Sequence, residues 1–173
     1  GNYENLAVNG DAANTTVVAI DNASVLVADT ITVAEENVAS GNVLSNDSDV
    51  DNTLAVATFN VGGTTYNAGQ TATIVGVGAI TIGSNGDYTF TPVENYNGAV
   101  PAVGYTTNTG STSSLTITVT PVDDASVLTP DTNTVAKETV ATGNVLSNDS
   151  DVDNTLTVAT FNVGGTTYNA GQI

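Results

Sequence analysis

The most regular alternation in the chain lies at SLTITVTPV, residues 114–122, where Leu115, Ile117 and Val119 take turns with threonines. Successive side chains on a strand point to opposite faces, so this period of two predicts a strand with one face in a core and one in water. GAITIG at 78–83 sets Ile80 and Ile82 on one face, and DYTFTP at 87–92 does the same with Tyr88 and Phe90. Between them stands SNGD, whose Asn85-Gly86 pair accepts the positive φ angles of a tight hairpin turn. Val61-Gly62-Gly63-Thr64 predicts a second turn. In TLAVATFNV, residues 53–61, the apolar phase changes between Val56 and Phe59, which marks a bulge. No segment sustains a helical period, and GNVLSND at 41–47 has room for one short helical turn. Seven or so short strands in about a hundred residues, divided by turn signals, predict an all-β fold of Ig-like sandwich type. The predicted core is Val33, Leu44, Leu54, Val56, Phe59, Ile74, Ile80, Ile82, Tyr88, Phe90, Tyr105, Leu115, Ile117 and Val119.

The same pattern starts again 102 residues on: laid over each other, 41–70 and 143–172 agree at 29 of 30 positions and differ only at Ala55 and Thr157. Upstream, 21–40 and 123–142 agree at 13 of 20, with Asp21, Asp29, Val33 and Glu36 matched by Asp123, Asp131, Val135 and Glu138, and Glu35 replaced by Lys137. Repetition at a fixed period is the signature of a tandem array. It divides the chain into 1–20, the C-terminal part of a preceding repeat; 21–122, a complete repeat; and 123–173, the N-terminal half of the next. The chain reads as an excerpt from a longer array. Pro121 and Val122 end the last strand and Asp123-Asp124 open the link, which is short enough to predict a rod rather than beads on a string.

Charge then narrows the function. Eighteen Asp and Glu stand against a single Lys, Lys137, with no His, for a formal net charge of −17. Nucleic acid is excluded as a partner, because binding phosphates takes Lys and Arg, and an anionic membrane surface is excluded on the same ground. No apolar run is long enough to predict membrane insertion. Without Cys there is no disulfide framework, and without Cys or His no ordinary zinc site.

Much of the negative charge is clustered. Asp47, Asp49 and Asp51 stand at alternate positions of one loop, and Asp149, Asp151 and Asp153 repeat them. Alternate spacing lets a loop turn several oxygens toward one point, as loops for hard cations do; Ca²⁺ takes six to eight oxygens. An EF-hand is rejected, since Asn52 stands where its glycine belongs, Thr58 where its bidentate Glu belongs, and strands flank the loop. Missing oxygens are then expected from Asp21 and Asn22 (Asp123 and Asp124 in the second copy) and from Glu36 and Glu138, so that Ca²⁺ stiffens each domain junction. The alternative is a set of Asx turns in which the aspartates bind their own backbone.

PVDDASVLTPDTNTVAKETVATGNVLSNDSDVDNTLTV at 121–158 resembles the start of bacterial cadherin-like or Ig-like tandem repeats, and GAITIGSNGDYTFTPVENYNG at 78–98 resembles their middle. Such repeats form the extender regions of giant adhesins exported by type I secretion, the RTX adhesins. The resemblance implies an extracellular, cell-surface β-sandwich module, rigidified by calcium, that projects a distal binding domain for attachment or biofilm formation. Carried over by position, it implies the same ligands: Asp21, Asn22, Glu36, Asp47, Asp49 and Asp51 with their copies Asp123, Asp124, Glu138, Asp149, Asp151 and Asp153. One departure stands out: repeats of this kind commonly read Gly-Asp before Thr-Leu, where this chain has only Asn52.

Catalysis is not expected. Glu35-Glu36 and Glu94 are the available carboxylate partners in the complete repeat, and Glu35 becomes Lys137 in the next copy. The Asn-x-Ser/Thr sequons at Asn14, Asn22, Asn46 and Asn148 are what chance supplies in a chain this rich in Asn, Ser and Thr. Tyr66, Tyr88, Tyr96 and Tyr105 fit core or rim positions better than a sugar platform. Two other functions are weighed beside the spacer. One is a polysaccharide-binding module. The other is a self-assembling filament subunit in which a strand such as 13–20 adds to an open sheet edge of another copy. The expected partners are neighbouring repeats of the same chain and other copies of itself.

Overall fold

A computed structural model describes residues 20–172. The expected tail of a preceding repeat, and with it the 13–20 strand, lies almost wholly outside them. The chain forms two compact units whose boundary falls between Pro121 and Val122. Every regular element among the described residues is a strand.

Among the described residues, ten strands build the first unit: β1 Asp29–Ala34, β2 Ala39–Asn42, β3 Val56–Val61, β4 Thr64–Asn67, β5 Thr71–Ile74, β6 Gly78–Ile82, β7 Asp87–Pro92, β8 Gly98–Ala99, β9 Val103–Thr107 and β10 Thr112–Thr120. One sheet runs β1-β10-β9-β3-β4, with β8 also on β10; the other runs β2-β7-β6-β5. All pairs are antiparallel except β1 with β10, which are parallel and set Asp29 beside Leu115 and Ala34 beside Thr120. The two inner faces meet in one core, so the expected sandwich is present.

The alternation explains which faces meet. On β10, Leu115, Ile117 and Val119 are buried while Thr116, Thr118 and Thr120 are exposed. Ile80, Ile82, Tyr88 and Phe90 bury the facing side of β6 and β7. Each apolar side chain withdrawn from water contributes about 1.5–3 kcal/mol against the entropy of ordering the chain. On β3 the register slips between Val56 and Thr58, so Val56 and Phe59 both reach the core although three residues separate them. Gly62 and Gly63 both take positive φ, 58° and 81°, and close the β3–β4 hairpin in two residues.

Some expectations shift. Residues 43–46 form turns, not a helical element, and Leu54 is half-buried and stands outside the core cluster. Val43, Val61, Val100 and Val103 join the core from strand ends and loops, where no period marks them.

The second unit holds one hairpin, β11 Thr160–Val163 with β12 Thr166–Asn169, and an isolated bridge between Val127 and Ser150. It reproduces local features of the first. Phe161 stacks on Tyr168 at 5.4 Å as Phe59 does on Tyr66 at 5.3 Å, and Glu138 and Glu36 share a φ of 65°. What it lacks is burial: Phe161 is 39% exposed where Phe59 is 1% exposed. The counterparts of β1 and β2 are not strands there. Their partners in the first unit, β10 and β7, belong to the half of the repeat that the second unit does not contain.

Candidate functional site

The loop 47–51 is held against the segment 21–27 by a bridge, with Val25 N–H donating to Ser48 O at 2.8 Å and Ser48 N–H to Val25 O at 2.9 Å. Around that bridge the three aspartates receive donors in order. Asp51 Oδ2 accepts from the Asn22 backbone N–H and from Asn22 Nδ2, both at 2.8 Å. Asp49 Oδ2 accepts from Ser24 Oγ at 2.7 Å, while its Oδ1 accepts from the N–H groups of Asp51 and Asn52 at 2.9 and 2.7 Å. Asp47 Oδ1 accepts from Val27 N–H at 2.8 Å, and its Oδ2 takes the Tyr105 hydroxyl at 2.7 Å. Asn52 Nδ2 reaches across to Asp21 Oδ1 at 2.8 Å. The result is a clasp in which carboxylates lock the 21–27 segment onto the loop.

The second unit rebuilds it. Asp124 N–H donates to Asp153 Oδ2 at 2.6 Å, Ser126 Oγ to Asp151 Oδ2 at 2.6 Å, Thr129 N–H to Asp149 Oδ1 at 2.7 Å and Asn154 Nδ2 to Asp123 Oδ1 at 2.9 Å. Because 123–154 forms the clasp without the sandwich around it, the clasp is local chemistry of the segment itself.

These contacts answer the repulsion expected of three close carboxylates. Hydrogen bonds to the charged form favour it. Ser24, and then the backbone N–H groups, hold the Asp49 carboxyl below its ordinary value of 3.8; Ser126 and the backbone of Asn154 and Asp153 do the same for Asp151. A carboxyl with a depressed folded pKa adds stability above its unfolded value and loses it as pH falls through the folded one. The clasp is therefore expected to loosen as pH drops below about 4. Asp49→Asn should flatten that acid limb in urea titrations at stepped pH; an unchanged limb would remove Asp49 from the account.

Asp29 behaves in the opposite sense. Its Oδ2 is buried without a partner, and burial first, then the charge of Asp47, raises its pKa. Its contribution is present at low pH and fades as pH rises through the raised value. Tyr105 is 1% exposed, and burial followed by its bond to Asp47 pushes its phenol well above 10.0, so the hydroxyl remains a donor.

Glu36, expected beside the loop, stands beyond the far end of β1 from the clasp. The clasp stands before the start of β1, whereas Glu36 follows its end, next to Glu35, whose N–H donates to Thr120 O at 2.9 Å. The six residues of β1 span roughly 20 Å. Glu138 has its carboxylate 3.7 Å from Lys137 Nζ, not on the loop. Among the described residues, no three Asp, Glu, His or Cys side chains stand together so as to hold a metal ion. Asp21, Asp47, Asp49 and Asp51, and Asp123, Asp149, Asp151 and Asp153, accept from N–H and O–H donors, while Asn22 and Asp124 donate their N–H groups to Asp51 and Asp153. Sequence reasoning missed Ser24, Asn52 and Tyr105 as members. Ser24 and Asn52 carried a usable signal, since Ser126 and Asn154 repeat them; Tyr105 is brought in from β9 by the fold alone.

The remaining candidates are structural. Glu35 is buried, with Asn97 Nδ2 at 3.4 Å from its Oε2. Tyr88 is buried with Tyr105, Tyr66 stacks on Phe59, and Tyr96 donates its hydroxyl to Ala99 O at 2.7 Å, so the four present no sugar platform.

The β-sandwich, and the clasp that recurs 102 residues on, meet a match to the family model described as bacterial Ig-like domain, over residues 37–122 and again over 139–173. The chain belongs to the bacterial Ig-like domain family. No curated protein matches it. Bacterial Ig-like domains are typically non-catalytic and are commonly found in extracellular or surface proteins. This chain is a structural module of that kind.

Proposed function

We propose that this bacterial Ig-like chain is a spacer: an extender segment of a cell-surface adhesin that carries a distal binding domain away from the cell. The observation that supports it is the near-identity of the copies, 29 of 30 residues over 41–70 and 143–172. A spacer needs length, and repetition supplies length without new sites. The solvent-facing strand positions are largely Thr, as on β10, and suit a surface that avoids contacts. A fusion that places the chain between a surface anchor and a reporter domain of known ligand tests this. The reporter's access to an immobilised ligand should rise stepwise with added repeats, and the chain alone should bind no glycan on an array. Glycan binding by the chain itself would replace the spacer by a recognition module.

Calcium stiffening, which the resemblance implied, is the part of this reading that the clasps do not support. Donors already occupy the loop carboxylates. The expected outcome is no heat of calcium binding at millimolar concentration and a melting temperature that EDTA does not move. A saturable heat accompanied by a rise in melting temperature would restore calcium to the loops.

A further inference from the structure

We propose that Asn97-Gly98 is a self-modification site, where the Asn97 side chain cyclises onto the Gly98 nitrogen, loses ammonia and reopens as aspartate or isoaspartate, while the fold holds the like pair Asn85-Gly86 inert. The inference is independent of the spacer reading. It starts from what the chain lacks. With no Cys and no Met, the side chains that oxidants take first are missing. Chemical wear then falls on the amides. It is fastest at Asn followed by Gly, where no side chain hinders the attacking nitrogen. Among the described residues Asn-Gly occurs at 85–86 and 97–98, and Asn9-Gly10 lies outside them.

The two pairs are held differently. Around 85–86 the groups that would have to turn are tied. Gly86 N–H donates to Gly83 O at 3.0 Å, Gly86 O accepts from Val43 N–H at 2.9 Å, and Asn85 O accepts from Asn42 Nδ2 at 3.0 Å. The Asn85 side chain is bound at both ends: Nδ2 donates to Asp87 Oδ2 at 2.6 Å, and Oδ1 accepts from Asp87 N–H at 3.2 Å. Gly86 is buried, so cyclisation there needs the β6–β7 hairpin opened. Asn97, by contrast, is exposed, and its Nδ2 makes a long contact with Glu35 Oε2 at 3.4 Å. Gly98 stands opposite Val119 in β8, a strand of two residues. So short a strand end opens at little cost. Its φ of 129° is one that glycine alone adopts readily, so the fold itself fixes the unhindered neighbour behind Asn97.

The reaction consumes only water. The Gly98 nitrogen bonds to Asn97 Cγ, the Cγ–Nδ2 bond breaks, and ammonia leaves with the proton that the Gly98 amide gives up. Water then opens the cyclic imide at either carbonyl, giving aspartate, or isoaspartate with its longer backbone. Each product replaces the donor facing Glu35 Oε2 by an acceptor and sets a second carboxylate beside a residue that is 1% exposed. Like charges at that range, and a buried acceptor that has lost a donor, both disfavour the fold. Glu35 fastens the end of β1 through its N–H on Thr120 O at 2.9 Å, so the damage falls where β1, β8 and β10 meet. The site is a clock: it records the age of a chain by loosening this end of the sandwich.

The full chain, kept folded in mildly alkaline buffer at body temperature and sampled over weeks, is digested after Glu and mapped by mass spectrometry. Cleavage after Glu94 puts the two Asn-Gly pairs on different peptides. Isotopically heavy water labels the hydrolysed position, and an isoaspartate methyltransferase counts the isoaspartate. The expected result is conversion at Asn97 at least about tenfold faster than at Asn85 in the folded chain, with the two rates converging in unfolding concentrations of urea. The melting temperature should fall as conversion proceeds. Asn97→Asp, made directly, should melt about 4 °C or more below the parent. Asn97→Gln keeps an amide that cyclises far more slowly, and its melting temperature should not drift on incubation. Conversion at Asn85 as fast as at Asn97 would overturn the proposal, as would an Asn97 that stays intact in the folded chain while the unfolded chain turns over. An Asn97→Asp chain as stable as the parent would remove the clock.

Discussion

Phe59→Ala is expected to lower the stability of the sandwich by about 3–5 kcal/mol, while Phe161→Ala leaves the main unfolding transition within about 0.5 kcal/mol of the parent. The two phenylalanines have the same neighbours in sequence and the same stacked tyrosine. They differ in what lies over them. Phe59, 1% exposed, packs among side chains from both sheets, so truncation loses its transfer free energy and leaves a cavity that close-packed strands cannot collapse. Phe161, 39% exposed, has little burial to lose beyond its contact with Tyr168. Urea denaturation followed by circular dichroism reads both. Equal losses at the two positions would show that the second hairpin is covered in solution.

Tyr105→Phe is expected to cost about 2 kcal/mol, the scale of a hydrogen bond to a charged group whose acceptor is left behind. Its hydroxyl stands 2.7 Å from Asp47 Oδ2 and 2.9 Å from Val43 O, and Val43 is fully buried. The ring keeps its packing in the phenylalanine, so the loss isolates the hydroxyl. That hydroxyl ties the clasp to the core, since Asp47 in turn accepts from Val27 N–H. Combining it with Asp47→Ala should give a coupling of about 1 kcal/mol or more. Additivity within about 0.5 kcal/mol would mean that tyrosine and aspartate act independently. The second unit, whose Asp149 has no such tyrosine on its own half, serves as the internal control.

How far the sequence foretold this depends on the range of the interaction. β6, β7 and β10 were legible because each keeps a period of two, and the turns at Gly86 and at Gly62-Gly63 were legible because these glycines take positive φ. The slip at Val56 and Thr58 was visible as a broken phase. Val100 and Val103 were not, because a valine beside a two-residue strand and one at a strand's first position show no alternation. At the site, the spacing of Asp47, Asp49 and Asp51 singled out the loop whose carboxylates take donors from the 22–27 segment. It did not say which partners they meet, since a carboxylate accepts equally from a cation or an N–H group. The N–H groups come from Asn22 and Val27, and a backbone donor leaves no trace in residue type. Glu36 stands beyond the end of β1, whose extended course beside β10 sequence spacing does not express.

Lys137 is the chain's only basic residue and its side chain is 91% exposed. A protease that cuts after Lys or Arg therefore finds one bond in 173 residues, and it lies outside the complete sandwich. For the sandwich, resistance to such enzymes does not depend on remaining folded. Even a fully opened 21–122 offers them nothing to cut, so a chain exposed to trypsin-like enzymes outside a cell is nicked in the half-repeat and keeps its complete domain whole.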